Sequence, residues 1–279
     1  ASDVYKRQVS DELAVRKIGA RGTNGPLVAF EHDGAPAAMA CRDDGGSVVL
    51  LRDGDDLRMR RLDSSGGPVG PIVDVHEPKT LRQWQPSIAC PTEERCFITW
   101  TGETSTRDND PDVFARIFDS QLAPGGPTFR VGVSEIERRR ESKVRALPGG
   151  DVVIAWAGDG IRFRLFDQTG TPLGAEATAS TTTNSGHQSP EVAVQSSGDF
   201  LLAWVERDRQ RISVRPFSSS GSPRGPEIDV VVFTEAQRVG LAPVGDSNYL
   251  LVWMSRVGDE AALYLHTLDS RGEPMGEPI

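Results

Sequence analysis

The sequence predicts an all-β chain built from repeated four-stranded antiparallel units, and three observations carry that expectation. An apolar run ending in tryptophan recurs at Trp100, Trp156, Trp204 and Trp253, and an earlier copy, "SVVLLRDG", has Arg52 in the Trp place. The steps between these positions are 48, 56, 48 and 49 residues, and a fixed period of that length marks a repeat architecture. Gly (29) and Pro (19) are frequent enough to break helices and supply many turns. Finally, segments such as "IRFRLFD" alternate, with Ile161, Phe163 and Leu165 pointing one way and Arg162 and Arg164 the other, the period of a half-buried strand.

Each copy keeps one internal order. A short apolar segment comes first ("PSIAC" from Pro86, "PEVAV" from Pro190), then a turn at Gly149-Gly150 or Ser197-Gly198. A continuous apolar run such as "FLLAW" follows and reads as a fully buried strand; the alternating strand comes next. A D-x-x-G-x-P-x-G phrase closes it at 63–70, 167–174 and 269–276, where Gly supplies positive φ and Pro a fixed φ for a tight turn. A last short strand such as "PIVDV" completes the unit. Four strands in roughly 40–50 residues is the size of a β-propeller blade.

With its W, FD, G-x-P-x-G and Q-x-P landmarks, the stretch from Asp11 to Ile279 resembles the divergent propeller repeats of secreted bacterial proteins. Units begin near Ala38, Pro86, Ser142, Pro190 and Val239, and 13–30 reads as the outer two strands of a preceding unit. The expected fold is therefore a β-propeller of four-stranded antiparallel blades, with about five nearly complete blades plus part of another, from a parent ring of six or seven. Residues 11–279 are expected to form a single propeller domain truncated at both ends. Residues 1–10 are expected to be a non-native or disordered tail, because "ASDVYKRQ" resembles a translated sequencing adapter; residues 1–8 should lie extended and without pairing partners.

A net charge of −9 argues against a nucleic-acid partner, and no apolar run reaches the length of a membrane span. In four-stranded units the first–second and third–fourth turns lie at one end, and the second–third connections and inter-unit links at the other. The second end collects the irregular segments 76–85, 101–112, 132–141, 180–189 and 255–261, the natural place for binding to a protein or a glycan. Candidate binding residues there are Trp84, Arg139, His187, Asp108, Asp110 and Asp112. Trp84 breaks the Trp period, and an indole in a link suits stacking or anchoring. Asp108, Asp110 and Asp112, at alternate positions of "RDNDPD", are a weak candidate for Ca²⁺, which takes six to eight oxygens; the run lacks the Gly and distal Glu of an EF-hand. Arg139 sits in "ERRRE", whose flanking carboxylates suggest a solvated, salt-bridged link.

No HExxH, GxSxG or P-loop pattern occurs, so catalysis is the minor expectation, although carboxylates from different blades can meet at a ring axis. "CPTEERC" places Cys90 and Cys96 across a first–second turn as candidates for a disulfide, which implies an extracytoplasmic, secreted or cell-surface setting. Cys41 aligns with small residues of the innermost strand and is expected to be packed there as a thiol.

Overall fold

The computed structural model describes residues 3–9, 12–18, 24–31, 35–76, 82–103, 111–133, 139–183, 186–232, 236–257 and 260–279. All of its regular structure is β, and it divides into two compact units, Ala1–Phe129 and Arg130–Ile279. In the first, β1 (Asp3–Val9), β2 (Glu12–Ile18) and β3 (Asn24–Glu31) form a three-stranded sheet. Two four-stranded sheets follow: β4 (Ala35–Cys41), β5 (Ser47–Asp53), β6 (Asp56–Leu62), β7 (Pro68–Asp74); then β8 (Gln83–Thr92), β9 (Arg95–Glu103), β10 (Pro111–Asp119), β11 (Phe129–Arg130).

The second unit holds β12 (Arg140–Ala146), β13 (Val152–Gly158), β14 (Gly160–Phe166), β15 (Ala177–Thr178), and then β16 (His187–Val194), β17 (Phe200–Glu206), β18 (Arg211–Phe217), β19 (Ile228–Val232). Its last sheet is three-stranded: β20 (Ala236–Val244), β21 (Asn248–Val257), β22 (Glu260–Leu268). Strands pair with their sequence neighbours, antiparallel among the described residues. One expectation is corrected at the N-terminus. Val4 and Tyr5, expected to lie unpaired, stand in register with Lys17 and Arg16 in the β1–β2 ladder.

The hydrophobic period explains how the sheets stack. Trp100, Trp156, Trp204 and Trp253 are all buried, as the repeat predicts. Leu201, Ala203, Val205, Ile212 and Val214 of one sheet share a core with Val239, Leu241, Leu251 and Trp253 of the next. The same arrangement recurs one sheet earlier, where Val153, Ala155 and Phe163 meet Leu202, Trp204 and Phe200.

The Asp-Gly-Pro phrase is a self-contained turn. Asp167 Oδ1 accepts the backbone N–H groups of Thr169 and Thr171 at 2.8 and 2.9 Å, and Gly170 takes φ +86°. Hydrogen bonds from Thr169 and these amides hold the Asp167 carboxyl below its ordinary value. Asp63, Asp119 and Asp269 accept in the same way. The proline then bridges back to the strand, as in Phe166–Pro172 and Phe217–Pro223.

The β10–β11 turn breaks the glycine rule. Leu122 occupies the left-handed position at φ +64°, and its side chain is buried in the core of that sheet pair. Backbone strain there costs about 1–2 kcal/mol, whereas burying a leucine contributes about 1.5–3 kcal/mol. Leu122→Gly is therefore expected to lower stability by about 1 kcal/mol in urea unfolding, despite glycine at the equivalent turns; a gain in stability would mean that strain outweighs burial.

Cys90 and Cys96 form a disulfide across the β8–β9 hairpin with Cα atoms 4.0 Å apart. A link closing so short a loop contributes on the order of 2 kcal/mol. Cys90→Ala/Cys96→Ala should lose about that much, and thiol titration of the denatured, unreduced protein should find Cys41 alone. Three titrating thiols in protein from an oxidising host would rule the link out. Cys41 corrects the expectation of a packed position: it ends β4 opposite Ser47 at the mouth of the turn, and is exposed.

Candidate functional site

In five of the sheets the first strand (β4, β8, β12, β16 or β20) starts earlier than its apolar segment and carries a bulge. Register shifts fall at Pro36/Ala38, Trp84/Ser87, Arg140/Lys143, Gln188/Glu191 and Ala236/Arg238. Three of the bulges hold a non-glycine residue in the left-handed region: Gln85 at φ +51°, Glu141 at +57° and Ser189 at +51°. Two residues before each of these stands a buried polar side chain: Gln83, Arg139 and His187. The bulge thus turns a strand entry that alternation would leave in solvent into a buried polar position.

Within the unit Arg130–Ile279, links and second–third connections meet at one end of the sheets. Ser180 Oγ accepts from Ile161 N at 3.0 Å and donates to Thr182 O at 2.7 Å; a Cβ on Gly160 would fall 2.5 Å from that hydroxyl. Two glutamates, each one residue ahead of an outer strand, tie the links down. Glu176 accepts Val133 N at 3.2 Å, and Glu227 accepts Thr181 N at 2.6 Å. The opposite end carries the turns, where Ser219 N donates to Asp199 at 3.3 Å.

His187 leads to the densest polar cluster. Its Nε2 lies 3.1 Å from half-buried Thr182 Oγ1 and 3.7 Å from Glu206 Oε1, with His187 and Glu206 both beneath the surface. Glu206, with 2% of its side chain exposed, accepts from Trp204 Nε1 at 3.3 Å, Ser213 Oγ at 3.1 Å, and Arg211 Nε and Nη2 at 3.1 Å each. Arg211 also reaches Glu227 at 3.4 Å and pairs with Asp229. Burial alone would raise the Glu206 carboxyl; its hydrogen bonding with Glu227 and the Arg211 guanidinium outweigh that and hold it below the ordinary value. Such a carboxylate is a fixed acceptor and a poor proton donor near neutrality.

The other sequence candidates are more dispersed. Trp84 is half-buried opposite Thr101, with the Arg82 guanidinium 6.0 Å from its ring centre. Asp112 is buried opposite Gly102, and its Oδ1 accepts the neighbouring Val113 N at 2.8 Å. Asp108 and Asp110 lie outside the described residues, among which no group of three or more His, Cys, Asp or Glu could hold a metal. Arg139 corrects the expectation of a solvated link: it is 1% exposed, packed over Gly132, where a Cβ would sit 2.4 Å from Nε. Residue-by-residue reading missed Glu206, Arg211 and Glu227. A signal was present two residues beyond each period Trp, where Gly102, Gly158 and Ser255 are small and Glu206 alone is charged.

No protein-family model and no curated protein matches the sequence. Solved structures do. A protein of unknown function from Dyadobacter fermentans DSM 18053 is 16% identical with a TM-score of 0.62, over 94% of this chain and 92% of its own. A Hadza microbial sialidase is 12% identical with a TM-score of 0.57, over 92% of this chain and 63% of that one. An α-L-arabinofuranosidase from Lactobacillus brevis is 12% identical with a TM-score of 0.54, over 88% and 94%. At these identities the likeness concerns the fold alone, and that fold is β-propeller-like.

Proposed function

We propose that the chain is a non-catalytic binding or scaffold propeller of a secreted or cell-surface bacterial protein, engaging its partner through the irregular loop end of the sheets. The state of Glu206 carries this reading. The most deeply placed carboxylate of the loop end is held ionised and fully occupied by Arg211, Ser213 and Trp204, the pattern of a loop anchor. Its partners fix links whose own side chains are free to vary, which suits recognition on a rigid frame. The Cys90–Cys96 disulfide supports the extracytoplasmic setting.

Glycan binding is the second reading, favoured by the half-exposed Trp84 beside Arg82; a sialidase and an arabinofuranosidase stand among the similar structures. A glycan array separates the two, with nitrophenyl glycosides as the catalytic control. Retained array binding that falls by more than about 1 kcal/mol in Trp84→Ala supports the glycan reading. Glycoside turnover abolished in Glu206→Gln would overturn the non-catalytic one. Arg139→Ala is expected to report on folding before contact, because the guanidinium is buried.

A further inference from the structure

Within the unit Arg130–Ile279 the ladder registers let one sheet be compared with the next, position by position. In the β16–β19 sheet, Leu201, Ala203 and Val205 of β17 and Ile212 and Val214 of β18 line one face. All five are wholly buried in the core shared with the β20–β22 sheet. Counted from Trp204–Ser213 and Trp253–Tyr264, the pairs Ala203–Val214 and Val205–Ile212 correspond to Val252–Leu265 and Met254–Leu263. The equivalent face of the last sheet is therefore Leu250, Val252, Met254, Leu263 and Leu265, apolar at every position.

Here that face is open. Leu263 is 64% exposed, whereas Ile161 and Ile212 at the same place are 0% exposed, and the other four residues are partly exposed. The opposite face, with Tyr249, Leu251, Trp253 and Leu268, is buried against the preceding sheet. β21 reads apolar without interruption from Tyr249 to Met254, the composition of a strand covered on both sides; a strand with one wet face would alternate. The outer edge is open as well. β19 sets Val231 opposite Ile212, but among the described residues no strand lies outside Leu263.

Charge selects the occupant. The chain carries −9, so most of its surface repels a second copy. This face is an exception: alternate residues from Gly240 to Val244, Leu250 to Met254 and Ala261 to Leu265 are all uncharged. We propose that the open face of the β20–β22 sheet is a self-association surface, covered by the same face of a second copy about a two-fold axis. Like meets like there without repulsion, and the aliphatic side chains interdigitate as those of adjacent sheets do within each copy. The pairing uses no residue of the loop end, so its failure would leave the reading of that end intact.

Sedimentation velocity of the whole chain from about 1 to 200 µM tests the pairing. Expected is a monomer–dimer equilibrium with a Kd on the order of 10 µM, suited to a small interface. Leu263→Asp puts a carboxylate into both copies of the face and should weaken the dimer at least tenfold. Leu173→Asp, at a 53% exposed leucine of the β14–β15 turn, should leave it unchanged. Raising NaCl from about 50 to 500 mM should tighten the dimer of the unaltered chain, because salt screens the repulsion between two acidic copies and the contact holds no ion pair. A monomer throughout the range would mean that something other than a second copy covers the face, and overturns the proposal. So would a dimer that salt weakens, or one that Leu173→Asp disrupts as much as Leu263→Asp. If Leu263→Asp does not fold, the concentration and salt series on the unaltered chain still decide.

Discussion

Arg211→Met is expected to destabilise the unit Arg130–Ile279 by about 3–5 kcal/mol, because it strips the main counter-charge from a glutamate that stays buried. Glu206 would keep its bonds from Trp204 and Ser213 and the 3.8 Å ion pair with half-exposed Arg209 but lose both Arg211 hydrogen bonds, and Asp229 would lose its pair. The pH dependence separates this cause from lost packing. In the unaltered chain the depressed Glu206 contributes stability that is complete above the ordinary glutamate value of 4.5 and disappears as pH falls through its lowered value. In the variant, burial dominates and pushes the carboxyl up, so the deficit should narrow between pH 7 and pH about 5. Urea unfolding at both pH values checks it, and Glu206→Gln/Arg211→Met should recover much of the loss. A pH-independent deficit, or a double variant no better than the single one, would assign the effect to packing.

Trp204→Ala is expected to cost about 3–5 kcal/mol, as truncations of large buried aromatics do. Trp204 is wholly buried in the core shared by successive sheets, and its N–H serves Glu206 as well. Phenylalanine separates the two contributions. Trp204→Phe keeps most of the apolar contact but deprives an ionised carboxylate of a donor, worth about 1.5–3 kcal/mol. Trp156→Phe discards an N–H that has no partner and should be the milder change. Equal losses in the two phenylalanine variants would show that the Trp204–Glu206 bond contributes nothing to stability.

The repeat made the β-strands, the buried Trp series and the Cys90–Cys96 hairpin legible, because each depends on local periodicity and turn chemistry. Strand starts were less legible. The sequence placed them near Pro86, Ser142 and Pro190, where the apolar residues begin, whereas the strands start at Gln83, Arg140 and His187. Alternation fails across a bulge, and nothing local announces a left-handed Gln85, Glu141 or Ser189. The candidate site was harder still. Arg139 and His187 look like loop residues in sequence, and the partner that explains His187, Glu206, lies nineteen positions away on a neighbouring strand. The outer strands β11 and β15 have two residues each, too few for any pattern to register.

Glu176 and Glu227 hold the links by accepting main-chain N–H groups, those of Val133 and Thr181. A bond to the main chain places no demand on the side chain above it. Any residue except proline can stand at 133 or 181 and keep its tether. During divergence the link sequences can therefore be rewritten almost freely while the ties beneath them persist, so new specificities need not first re-invent the frame. The same property makes the two tethered links suitable ends for a randomised library: diversity placed between the tethers and the next bulge should be tolerated, provided that proline is excluded at the two tethered positions and Thr182 is kept for its bond to His187.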